Sequence, residues 1–123
     1  MKFEIDWPRV EAPNDHIWMI GCLTGLSDQE IIDVVSARES WNGQEYVRSF
    51  RNLGFNCNPR FVKFDPATKY PCIMRSTSEY KGYWNAWVYN NGMVYGSWFR
   101  MTLDKWKENY PKLKITSMLQ VWI

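Results

Sequence analysis

The feature that most constrains the fold is a change of pattern at Gly54. Before it, apolar residues recur at helical spacing behind helix-capping residues; after it, apolar and aromatic residues form short runs separated by turn residues. This segregation favours an α+β fold in which N-terminal helices pack on a C-terminal antiparallel β-sheet. The length of 123 residues suits a single domain over residues 1–123.

Three helices are predicted before this change. The first begins at Asn14 or Asp15 and ends at Gly25, and it is apolar nearly all round, which is typical of a buried central helix. The second begins with a capping box at Ser27, and the third begins similarly at Asn42. The apolar face of the second consists of Ile31, Ile32, Val34 and Val35, and that of the third consists of Tyr46, Val47, Phe50 and Leu53.

Strands are predicted after Gly54, and they are expected to form an antiparallel meander. The candidate strands are residues 55–64, 71–76, 83–89, 93–98 and 115–123. Asn91-Gly92 lies between two of these runs and predicts a tight hairpin, because both residues tolerate a positive φ. Residues 102–109 predict a short fourth helix that stops before Pro111.

Charge and cysteine content limit the classes of function. The net charge is only +2, which permits nucleic-acid binding without requiring it. Cys22, Cys57 and Cys72 are an odd number without close spacing, which is typical of proteins of the reducing cytoplasm. No secretory leader and no run of the ~18 apolar residues of a membrane span is present. We therefore expect a cytoplasmic protein without a membrane partner.

Metal and cofactor chemistry is not indicated by any motif. His16 is the single histidine, and the three cysteines lie far apart, so no zinc-ligand spacing exists. There is also no glycine-rich phosphate loop. We expect neither a metal nor a cofactor.

Three stretches together resemble the papain-like cysteine peptidases, in particular the small bacterial domains related to bacteriocin-processing peptidases. MIGCLTGLSDQEIIDVV at 19–35 is similar to the family's central helix, its break and the following helix. YVRSFRNLGFNC at 46–57 is similar to the next helix and strand. The third stretch, YPCIMR at 70–75 followed by NAWVYNNGMVYG at 85–96, is similar to the strands that carry the family's histidine and turn.

The resemblance implies where catalytic residues would lie. The family needs a thiolate at the start of the central helix, an upstream oxyanion donor, a histidine and a group that orients it. The matching positions here hold Asp15 or His16 for the cysteine, Arg9 for the oxyanion donor and Asn85 for the histidine. The orienting group would fall at 96–97, which is Gly-Ser. The resemblance therefore implies a papain-like fold without its catalytic residues.

The expected function is that of a non-catalytic pseudo-peptidase that binds a protein or peptide partner. By analogy with other small tryptophan-rich domains, it would be an accessory protein of a phage or mobile element. The oligomeric state is not indicated. The candidate binding residues in and around the former cleft are Arg9, Asp15, His16, Trp18, Trp84, Asn85, Trp87 and Trp98.

Two alternatives remain open. Basic residues interleaved with aromatic rings are what single-stranded nucleic-acid binders use, so a small nucleic-acid-binding protein is the second hypothesis. Its candidate contacts are Arg48, Arg51, Lys105 and Lys107. The third hypothesis is a cysteine hydrolase with displaced catalytic residues, which would use one of the three cysteines.

Overall fold

The computed structural model describes residues 5–9, 14–35 and 42–123. Within these ranges the chain is α+β, with four helices, mostly N-terminal, and one six-stranded antiparallel sheet. The elements are α1 (Asp15–Thr24), α2 (Asp28–Ile32), α3 (Gly43–Asn52), β1 (Asn56–Cys57), β2 (Cys72–Thr77), β3 (Trp84–Asn90), β4 (Met93–Tyr95), β5 (Arg100–Thr102), α4 (Leu103–Asn109) and β6 (Ile115–Trp122).

The limits of α1 are set by residues next to it in the sequence, as predicted. The Asn14 side chain accepts a hydrogen bond from the Ile17 backbone N–H at 3.0 Å, which satisfies one donor of the first turn. At the other end Gly25 adopts φ +75°, a conformation that ends helices and favours glycine. Seven consecutive residues from Ile17 to Leu23 are buried, so α1 is the buried helix that the sequence predicts.

Capping boxes begin α2 and α3, and their removal should be measurable. Ser27 and Asn42 each accept from the backbone N–H three residues on, at 3.1 and 3.0 Å. We expect Ser27→Ala and Asn42→Ala each to lower the free energy of unfolding by about 1 kcal/mol, measured by chemical denaturation. Asn52→Ala is the matched control, because Asn52 is exposed within α3. If Asn52→Ala lowered the free energy of unfolding as much as Asn42→Ala, the capping explanation would be contradicted.

The second helix is shorter in the structure than its apolar pattern predicts. The helix ends at Ile32, so Val34 lies beyond it and is 47% exposed, whereas Val35 is buried. The predicted apolar face was therefore wrong at Val34. Five residues make little more than one turn, and α2 depends on its capping box and on the burial of Ile31 rather than on length.

The sheet is not a simple meander. Its strand order is β1-β6-β2-β3-β4-β5, so β2 to β5 form a meander while the last strand inserts between β1 and β2. The chain returns from the edge at β5 through α4, which packs on one face of the sheet. The predicted hairpin is confirmed: Asn91 and Gly92, between β3 and β4, have φ of +50° and +83°.

Two predicted strands were too long and one was missed. The 55–64 run pairs only at β1, with an isolated bridge from Val62 to Met118, because Pro59 lacks a donor and interrupts the ladder. The 93–98 run ends at Tyr95. The strand β5 has only three residues and runs directly into the helix cap of α4 at Thr102, so it shows no alternation of its own.

The two faces of the sheet pack against different helices. Ile73 and Val88 face the cluster formed by α1, α2 and α3, whereas Met74 and Tyr89 face a second cluster with α4. Side chains of β3 alternate between the two faces: Trp84 and Ala86 pack on the first cluster, and Trp87 packs on the second. This places the end of β3 that carries Trp84 beside the helices.

Candidate functional site

A cleft opens where the starts of α1 and α3 meet β3. Its main cavity has a volume of about 800 Å³. It is lined by Asp15, His16, Met19, Asn42, Glu45, Tyr46, Gly82, Tyr83, Trp84, Asn85, Ala86 and Trp87. A smaller cavity of about 170 Å³ shares several of these residues and extends the cleft past Trp18 to Gly96 and Ser97.

Most of the cleft residues predicted from sequence lie on this one surface. Asp15 and His16 at the start of α1 line the same cavity as Asn85 on β3, although about 70 residues separate them in the chain. Trp84 and Trp87 line it from either side of Asn85, and Trp18 lines the smaller cavity. The structure therefore brings these six positions together.

Arg9 and Trp98 do not line these cavities. The Arg9 guanidinium has a side-chain exposure of 10%, binds Asp6 at 2.6 Å and Asp28 at 3.0 Å, and also donates to the Leu26 carbonyl. Arg9 therefore connects the N-terminal segment to the start of α2, which is a structural role. Trp98 is 84% exposed and lies in the turn between β4 and β5.

A histidine and a tyrosine meet inside the cleft. The ring Nδ1 of His16 is hydrogen-bonded to the hydroxyl of Tyr46, which is fully buried on α3. Burial raises the pKa of the Tyr46 hydroxyl well above its usual value, and the nearby Asp15 carboxylate raises it further. Tyr46 therefore remains neutral at physiological pH and can orient His16 or a ligand without acting as a base.

An arginine contacts Trp84, one of the residues that line the cleft. The guanidinium carbon of Arg75 on β2 lies 4.1 Å from the ring centre of Phe61 and 4.2 Å from that of Trp84. Its Nη2 atom lies against the first residue of α3, because a Cβ at Gly43 would be 3.1 Å from it. Burial lowers the pKa of Arg75, partly offset by Tyr46, but the group remains a cation at neutral pH.

None of the three thiols is placed for nucleophilic chemistry. Cys22, Cys57 and Cys72 are free and buried. Burial raises the pKa of each thiol, that of Cys22 to about 12. None of the described residues that line the main cavity is a cysteine, serine or threonine. The cleft can therefore bind and hydrogen-bond a ligand, but its described lining offers no activated nucleophile.

The basic residues predicted to contact nucleic acid are not brought together. Arg48 and Arg51 are exposed on α3, whereas Lys105 and Lys107 are exposed on α4. These helices pack on opposite faces of the sheet. Lys105 also pairs with Glu108 at 3.5 Å. The four residues therefore do not form one continuous surface.

Searches of the described residues for two other kinds of feature gave negative results. Within residues 5–9, 14–35 and 42–123, no three side chains of His, Cys, Asp or Glu are grouped as metal ligands would be. The helices in these ranges are at most ten residues long, and none has the length and apolarity to cross a bilayer.

Sequence reasoning missed two contacts in and beside the cleft. Arg75 was included in the predicted strand 71–76 without a role. The available signal was that it is the one charged residue in a strand whose other residues are suited to burial on both faces of the sheet. Tyr46 was correctly assigned to the buried face of the third helix, but its hydroxyl contact with His16 depends on how α1 and α3 pack.

Comparisons with protein-family models, with curated protein sequences and with solved structures each found no match.

Proposed function

We propose that this protein is a non-catalytic papain-like domain that binds a peptide segment of a partner protein in the cleft between α1, α3 and β3. The observation that carries the proposal is the cavity of about 800 Å³ that has Asp15, His16 and Asn85 on its walls. Binding sites in proteins are typically concave, of about 300–1,000 Å³, and lined by aromatic rings with a few polar groups. The cleft has this size and this lining.

The shape of the cleft suits a peptide. The smaller cavity extends it along β3 towards Gly96, so a chain of several residues could lie across the start of α1. Tyr83 and Trp84 line the cavity and offer apolar area to such a chain. These groups belong to β3 and the turn before it, which are held by the sheet.

The resemblance to papain-like peptidases supports the same cleft. In that family the start of the central helix faces the histidine strand across the substrate groove. Here the matching positions are Asp15 or His16 and Asn85, and they line one cavity. The raised pKa values of the buried thiols favour binding over hydrolysis. An accessory role in a phage or mobile element remains an analogy.

The proposal is tested with a matched pair of tyrosines. Peptides selected from a random phage-displayed library on the immobilised protein would be synthesised, and their dissociation constants measured by fluorescence anisotropy. Tyr83 is 73% exposed and lines the cavity, whereas Tyr80 is 72% exposed and does not. We expect Tyr83→Ala to weaken binding roughly tenfold, and Tyr80→Ala to leave it unchanged, because only a ring that contacts the ligand contributes.

Two results would contradict this function. Peptides that bind both variants equally well would not be in the cleft. A selected peptide that is cleaved by the folded protein would favour the hydrolase alternative instead, and mass spectrometry of the peptide after incubation detects that outcome.

A further inference from the structure

Arg75 makes no hydrogen bond or ion pair through its side chain to any residue that the structure describes. Its contacts are the two rings of Phe61 and Trp84, and its Nε atom is buried without a hydrogen-bond partner. Buried polar groups are nearly always paired, and an unpaired donor of a cation is costly. When no contact within the protein offsets the free-energy cost of burying such a group, the residue is often one that contacts a ligand.

The two rings limit how a ligand can approach this cation. The guanidinium carbon lies 4.1 Å from the ring centre of Phe61 and 4.2 Å from that of Trp84, so both rings contact it. The residue as a whole is only partly buried, so a ligand can reach part of its side chain, although Nε itself is buried. A guanidinium edge presents parallel N–H donors that match the two oxygens of a carboxylate. The rings also hold the plane in one orientation.

This edge lies next to the cleft. Trp84, which stacks on Arg75, lines the main cavity, and so does Asn42, which precedes the Gly43 contact. Tyr46 also lines the cavity, and it lies close enough to Arg75 to affect the pKa of the guanidinium. A peptide in the cleft could therefore place one of its groups on Arg75.

We propose that Arg75 binds a carboxylate of the peptide ligand, either an acidic side chain or the C-terminus. This inference rests on the proposed function. A carboxylate fits better than a phosphate, because Asp15 and Glu45 also line the cavity and repel a dianion more strongly than a single charge. The ligand therefore carries an acidic group at the Trp84 end of the cleft.

The test uses acetate as the probe and does not need the peptide. Sodium acetate would be titrated into the folded protein at constant ionic strength, following the Arg75 Nε–H signal by ¹H–¹⁵N NMR. We expect a saturable shift of this signal that is unchanged in Arg48→Gln, which removes an exposed arginine of α3. The backbone amide of Gly43, which lies beside the guanidinium and is present in all three proteins, should shift with acetate in the wild type and in Arg48→Gln but not in Arg75→Gln. Inorganic phosphate, titrated in the same way, should bind more weakly than acetate.

A second variant keeps the test decisive if Arg75→Gln does not fold. Gly43→Ala adds a methyl group 3.1 Å from Nη2 and 3.2 Å from Phe61 Cδ1, which forces the guanidinium to shift while the helix start keeps its cap. We expect acetate binding to weaken roughly tenfold, because bidentate recognition depends on geometry.

The outcomes separate this inference from the proposed function. A linear, non-saturating response of Arg75 to acetate would overturn the carboxylate site, while the comparison of Tyr83 with Tyr80 would still support peptide binding. Tighter binding of phosphate would overturn the assignment to a carboxylate. If acetate binding is saturable but the protein selects no peptide, the carboxylate site is supported and the carboxylate does not come from a peptide.

Discussion

Gly21→Ala is expected to destabilise the protein by about 2 kcal/mol, although alanine is the better helix former. Gly21 is buried in the middle of α1, and a Cβ at this position would overlap the guanidinium of Arg9. Arg9 cannot withdraw without losing its contacts with Asp6, Asp28 and the Leu26 carbonyl. Chemical denaturation of the two proteins measures the difference.

A double-mutant cycle tests the cause of this loss. In an Arg9→Ala background the overlapping group is gone, so Gly21→Ala should no longer destabilise and should add about 1 kcal/mol through helix propensity. The effect of the same substitution therefore changes sign. Equal destabilisation in both backgrounds would mean that Gly21 is required for another reason.

Labelling of Cys22 is expected to be slower in the folded protein than in the unfolded chain by roughly a thousandfold or more. The pKa of Cys22 rises from 9.0 to about 12, three pH units, so the thiolate that reacts is about a thousandfold scarcer at neutral pH. Cys57 and Cys72 are shifted in the same direction by burial. Burial adds a steric barrier to the reagent.

Iodoacetamide labelling at pH 7.5, followed by intact-mass spectrometry, measures these rates. The same protein in guanidinium chloride provides the reference, because unfolding exposes the three thiols. Rapid labelling of one thiol in the folded state would identify an activated cysteine. Peptide mapping would then show whether it is Cys22, and the hydrolase alternative would replace the binding function.

The starts of the first three helices, the end of α1 and the main hairpin could be predicted from the sequence. Asn14, Ser27 and Asn42 each accept from a backbone N–H three residues away, so the residues that determine the cap are neighbours in the chain. The turn at Asn91-Gly92 is equally local, because it needs only two residues that tolerate a positive φ.

The cleft was predictable only in part. The resemblance to papain-like peptidases placed Asp15, His16 and Asn85 opposite one another, and the structure has them on one cavity. It gave no indication that Arg9 is bound to Asp6 and Asp28, or that Trp98 is exposed away from the cavity. Those outcomes depend on partners that are distant in the chain.

The sequence by itself determined the local structure: an α+β chain with capped helices first, strands second and a hairpin at Asn91-Gly92. Only the tertiary structure decided that β6 inserts between β1 and β2, that β1 is two residues long, and that Arg75 lies between Phe61 and Trp84. Capping and turn energies arise between neighbouring residues, whereas strand order and the surroundings of a buried cation arise from packing between segments far apart in the chain.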